Sequence, residues 1–181
     1  MNTFVYDGTF EGLLCAFCTA LETKQASPIF ETESLGQSGW LLESQYVPTD
    51  SETARALYER VRLCSGRESL RCLVYSFLSE TAGIESSQYE FVRLTLTQRR
   101  SVVEWHHNPA VAEVRTWAEK VSRETHKLTG LLRFARLCDD SLYAAYEPDH
   151  NVTMLLARHF RERLADERWV IHDKRRDLAV A

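Results

Sequence analysis

Four side chains able to carry positive charge gather in the last third of the chain: Arg123, His126 and Lys127, then Arg133 shortly downstream. The first three are spaced three and four apart, which puts them on one face of a helix. Arg133 follows in a stretch that reads as a strand, where its neighbours Leu132 and Phe134 face the other way. A helix-to-strand corner of this kind suits phosphate. A guanidinium engages two oxygens at once, an ammonium adds a point charge, and an imidazole donates or exchanges a proton. The same cations would also complement the negative end of the helix dipole, stabilising by about 0.3–1 kcal/mol. Both readings stand on the sequence alone.

A second group lies further on. His159 and Arg163 are four apart in the next helical stretch, and Asp173 closes a strand directly before Lys174 and Arg175. A His–Asp pair acts as general base on water, with arginines stabilising developing phosphate charge. Asp173 would serve as well in a salt bridge with Arg133 or Arg175, and His159 as a packed residue beside Phe160. The candidates for proton transfer are therefore His126, His159 and Asp173. Those for phosphate or nucleic-acid binding are Arg123, Lys127, Arg133, Arg163, Lys174 and Arg175.

Other polar groups carry less. Glu147-Pro148-Asp149-His150 reads as a corner between strand and helix, without the spacing of a full ligand set. Cys15 and Cys18 make a C-x-x-C, but no second half completes a tetrahedral site, and both sit in an apolar helical stretch. His106-His107 marks a turn, and Asp7 either binds something at a strand end or caps the helix after it. The glycine-rich phosphate loops, the nucleophile elbow and the zinc-protease motif are all absent. Neither a metal site nor a cofactor is expected.

These residues belong to a chain of 181 residues with 44% hydrophobic and 27% charged side chains, the composition of a globular protein. Five cysteines form an odd set and read as free thiols. No segment has the length of apolar sequence needed to cross a bilayer, and the start lacks signal-peptide order, so a cytoplasmic location without membrane contact is expected. The net charge of −4 argues against nucleic acid only until its distribution is considered. Residues 1–54 hold eight acidic side chains against Lys24 alone, whereas residues 115–181 come to +2. Charges screen one another beyond about 8–10 Å, so a local patch decides whether phosphate is attracted.

Periodicity supplies the elements that must position the candidates. A strand over 3–7 leads into a helix over 10–23, with a short strand at 29–32 and another at 40–47. Thr49-Asp50-Ser51-Glu52 has capping-box form and opens a helix to Cys64, after which Ser65-Gly66 punctuate and Leu70 to Leu78 resume helical spacing. A further helix runs over 87–105 less cleanly. Asn108-Pro109 restarts a helix that Gly130 stops. Strands at 131–137 and 142–146 flank a hairpin turn, Asn151 caps a helix, and strands at 169–172 and 178–180 follow. The expectation is one α+β domain over 1–181. It comprises an N-terminal strand–helix, a helical middle over 49–129 and an α+β part over 130–181. The N-terminal and C-terminal strands would form a small, largely antiparallel sheet packed on the central helical bundle.

Several blocks in order resemble a known family: Tyr6-Asp7-Gly8 at the start, Val121 to Lys127, Gly130 to Phe134, Tyr146 to Asn151, His159 to Arg163, and Trp169 to Arg175. The chain is similar to a bacterial family assigned to DNA repair or DNA metabolism, whose members accompany a radical-SAM protein. Some relatives join this domain to a uracil-DNA-glycosylase-like domain. The resemblance implies a process and leaves the mechanism open. The chain itself has neither an iron–sulfur cysteine triplet nor a glycosylase region, so neither activity is transferred to it. The leading expectation is an accessory factor that binds DNA or a damaged nucleotide and acts with the radical-SAM partner. The alternatives are a catalytic domain acting on a DNA phosphodiester or base, and a module that docks the partner protein.

Overall fold

The computed structural model describes residues 2–33 and 44–181. Their elements are β1 (Thr3–Tyr6), α1 (Phe10–Glu22), β2 (Ile29–Thr32), β3 (Ser44–Tyr46), α2 (Ser51–Phe77), α3 (Ile84–Gln98), α4 (Pro109–Leu131), β4 (Ala135–Arg136), β5 (Leu142–Tyr146), α5 (Thr153–Arg163), β6 (Trp169–Asp173) and β7 (Leu178–Val180). They divide between two compact units, Met1–Phe77 with Thr81–Ala118, and Leu78–Glu80 with Glu119–Ala181. The fold is α+β. None of the helices among the described residues is long and apolar enough to cross a membrane.

In the first unit β1 runs between β2 and β3, and both neighbours are parallel to it. A helix between β1 and β2 carries the chain back to the starting end of the sheet, so the second strand must return parallel. Phe4, Phe17, Phe30 and Tyr89 pack as an aromatic cluster with centroids 4.9–5.8 Å apart. Thr9 caps α1 by accepting from the Gly12 N–H at 2.9 Å. Asp7 accepts from the Thr9 N–H and hydroxyl and from the Thr49 hydroxyl. Burial opposes the Asp7 charge, but these hydrogen bonds from Thr49 and Thr9 outweigh it and hold the carboxyl below its usual range. Thr49 being so used, Asp50 is the residue that caps α2, accepting from the Thr53 N–H at 2.8 Å. Gly66, at φ 76°, breaks α2 where Ser65-Gly66 predicts punctuation. Asn108 opens α4 by accepting from the Ala110 and Val111 amides at 3.0 and 3.1 Å.

The second unit holds the sheet β4-β5-β6-β7. Its outer pairs are antiparallel, but β5 and β6 are parallel because α5 lies between them. Ala144, Tyr146, Trp169 and Ile171 point to the buried side of the sheet, and Leu156, Ala157 and Phe160 of α5 are buried as well. Phe134 meets Phe160 edge-to-face at 5.0 Å.

Four expectations need correction. N-terminal and C-terminal strands form two separate sheets, one wholly parallel and one mixed, because α1 and α5 interrupt their strand pairs. The strand at 131–137 contracts to Ala135–Arg136, which leaves Arg133 outside any strand. The helix over 87–105 spans Ile84–Gln98, and Val102 and Val103 are buried from the loop beyond it. Asn151 does not cap α5; its amide donates to Glu80 Oε1 at 3.1 Å. Of the strand expected at 40–47, residues 40–43 lie outside the described residues.

Candidate functional site

One face of α4 carries Lys120, Arg123, Glu124, Lys127 and Leu128, spaced so that successive side chains stack along the helix. With the loop Glu147 to His150 that follows β5, this face encloses an open cleft of about 570 Å³ within the second unit. Small-molecule sites span about 300–1,000 Å³, so the cleft has room for a nucleotide. Glu124 joins the two walls. Its carboxylate oxygens accept the Asp149 amide at 2.7 Å and the His150 amide at 3.0 Å.

The acids of the loop are already occupied. Lys174 reaches Glu147 at 2.5 Å, and Arg175 lies 3.6 Å from Asp149. The hydrogen bond and charge of Lys174 hold the Glu147 carboxyl below its usual range, and Glu147 in return raises Lys174. On the helix side Arg123 donates to the Glu119 carbonyl, at 3.4 Å. Among the described residues neither Arg123 nor Lys127 forms an ion pair. The cleft thus offers three cations beside the amide-held Glu124 on one wall and ion-paired carboxylates on the other, a net positive balance that suits an anion.

Below the loop sits a buried ionic network. Asp173, fully buried at the end of β6, accepts from the amides of Arg175 and Arg176 at 3.0 and 3.2 Å and from Arg176 Nη1 at 3.0 Å. Thr153 donates to it more weakly at 3.4 Å, and Tyr146 donates to Thr153 at 2.9 Å. Arg176 also holds Glu80 through two nitrogens, at 2.7 and 2.9 Å, and the carbonyls of Pro148 and Asp149. Burial works against the Arg176 charge, but Glu80 and Asp173 outweigh it and raise the guanidinium above its ordinary value. The guanidinium therefore fixes the loop that forms the cleft wall.

The sequence candidates separate accordingly. Arg123 and Lys127 line the cleft; His126 and Arg133 do not. Arg133 donates to the Gly130 carbonyl at 3.0 Å, closing the end of α4, and exposed His126 lies off the cleft. Lys174 and Arg175 neutralise the loop acids. Asp173 is taken up by Arg176 and backbone amides, and His159 is not among its partners; the His159 ring stands edge-on to Phe160 at 5.1 Å. Arg163 is exposed in the last turn of α5.

Three residues escaped the sequence reading. Lys120 was visible, since it stands three before Arg123 on the same face. Glu124 and Arg176 were not, because an acid within a helix and the third of three adjacent cations show no sign of what they will meet. His172 also has organised partners, the Tyr143 hydroxyl at 2.8 Å and Asp177 at 3.4 Å, on the face of the sheet away from the core.

Among the described residues no group of three or more His, Cys, Asp or Glu is placed to hold a metal. Comparison with curated proteins and with solved structures returned no significant match. Residues 82–181, more than half of the 181-residue chain and including the whole cleft, match the model of DUF4130, described as a domain of unknown function, and the chain belongs to that family.

Proposed function

We propose that this protein is a nucleic-acid-binding accessory factor of DNA repair or modification, which holds a DNA phosphate or a damaged nucleotide in the α4 cleft. One observation carries the reading: among the described residues Arg123 and Lys127 line a nucleotide-sized cleft without ion-pair partners, while the acids opposite them, Glu147 and Asp149, are paired with Lys174 and Arg175, and Glu124 on their own face is held by two backbone amides. A phosphate entering there meets exposed cations on α4, and the acids facing them already have cationic partners. The repair context and the radical-SAM partner rest on the family resemblance of the sequence blocks. A binding role fits better than the catalytic one built on Asp173, because Asp173 is committed to Arg176 and neither His126 nor His159 lines the cleft.

Fluorescence anisotropy with single-stranded, duplex and damaged oligonucleotides tests the reading. Affinity falls steeply with salt, and the slope of log K against log salt becomes shallower by about 2 in Arg123→Ala/Lys127→Ala. Arg133→Ala, whose guanidinium serves the helix end, leaves binding unchanged. Salt-insensitive binding, or binding indifferent to the double substitution, removes the proposal.

A further inference from the structure

The loop joining α3 to α4 in the first unit holds a second organised cluster. Trp105 is half-buried against the core of Val102, Val103, Val111 and Val114, and its amide donates to the Val102 carbonyl at 2.9 Å. That packing holds the indole in place. The Arg100 guanidinium lies 5.4 Å from the centroid of the indole, and the His107 ring stacks on it at 6.0 Å with an interplanar angle of 24°. Arg100 and His107 are both exposed, so the groups packed on the indole are open to solvent. Two further cations belong to this region. Arg99 is exposed beside Arg100, and Arg115 hydrogen-bonds the His106 ring. The one acid in the loop, Glu104, is 3.1 Å from His106.

We infer that this loop binds unpaired bases of single-stranded nucleic acid, the bases continuing the Arg100–Trp105–His107 stack and the phosphates meeting Arg99 and Arg115. The inference rests on the reading that the protein binds nucleic acid, and adds the form of that nucleic acid. Aromatic rings and guanidinium planes accept the faces of bases irrespective of sequence, and a duplex has those faces closed. An acidic peptide would satisfy the cations but leave the stacked planes without a partner.

The test compares a labelled ten-nucleotide oligothymidylate with a ten-base-pair duplex on the full chain, wild type and Arg100→Ala/His107→Ala. Both side chains are exposed, so the fold tolerates their removal. The expected result is a loss of roughly tenfold in single-strand affinity with duplex affinity changed less than about twofold. Oligothymidylate also quenches intrinsic fluorescence, and Trp105→Phe removes that quenching. Equal loss for both nucleic acids, no loss for either, or equal competition by polyglutamate overturns the inference. Wild type binding neither nucleic acid removes it together with the cleft proposal. Single-strand binding that is lost only in Arg123→Ala/Lys127→Ala overturns this inference and leaves the cleft proposal standing.

Discussion

Replacing Arg176 by Met removes the group that ties three chain segments together at the cleft loop. The side chain is 14% exposed and donates to Asp173, Glu80, Pro148 and Asp149. Glu80, 47% exposed, regains water when the guanidinium goes, so its share is about 0–1 kcal/mol. Asp173 has no such recourse, being 0% exposed. Breaking a buried pair costs about 3–5 kcal/mol, chiefly through the charge left behind. The amides of Arg175 and residue 176 still donate to Asp173, which places the loss near the lower limit, about 3 kcal/mol. Amide hydrogen exchange along Trp169–Asp173 reads this directly in the unit concerned, and protection there should fall by roughly 100-fold. Arg176→Met combined with Asp173→Asn should recover part of the protection, since no charge is then stranded. A loss no greater than that of Arg62→Ala, which removes an exposed pair with Glu59, would refute the reasoning, as would a double variant no better than the single one.

Two further outcomes concern the first unit. Gly12→Ala places a methyl 2.8 Å from Thr49 Oγ1 and closer still to Asp7, so despite the gain in helix propensity it should destabilise by about 1–3 kcal/mol in urea titration; a stabilised variant contradicts the close approach. Burial raises the Glu85 carboxyl above its usual 4.5, with the Tyr6 hydroxyl 3.4 Å away acting in the opposite direction. A raised acid favours the fold while protonated and loses that contribution as pH rises through its folded pKa. Glu85→Gln should therefore raise the melting temperature at pH 7 and flatten its decline above pH 4.5. An unchanged pH profile would show that Glu85 ionises in the fold without cost.

Much of the local structure was legible because it is decided by neighbours in the chain. Ile29–Thr32, Leu142–Tyr146 and Leu178–Val180 are strands at the residues their patterning indicates, and Asn108-Pro109 opens α4 as cap and first turn. The α4 stripe was legible for the same reason, since spacings of three and four place Arg123 and Lys127 on one face whatever packs against them. The Asn151 cap failed because its amide had a distant partner in Glu80, and the Arg133 strand failed because β4 pairs with β5 through only two residues.

The sequence by itself determined where most of the helices and strands lie and which cations share a helical face, for these depend on steric periodicity and short-range hydrogen bonding. Only the tertiary structure decided which charges meet. Lys174, Arg175 and Arg176 are adjacent and chemically alike, yet the first two serve exposed Glu147 and Asp149 while the third turns inward to Asp173 and Glu80. The side chain that is buried depends on how the turn after β6 leaves the sheet and on where a segment almost a hundred residues earlier lies, and neither is encoded in the spacing of the residues themselves.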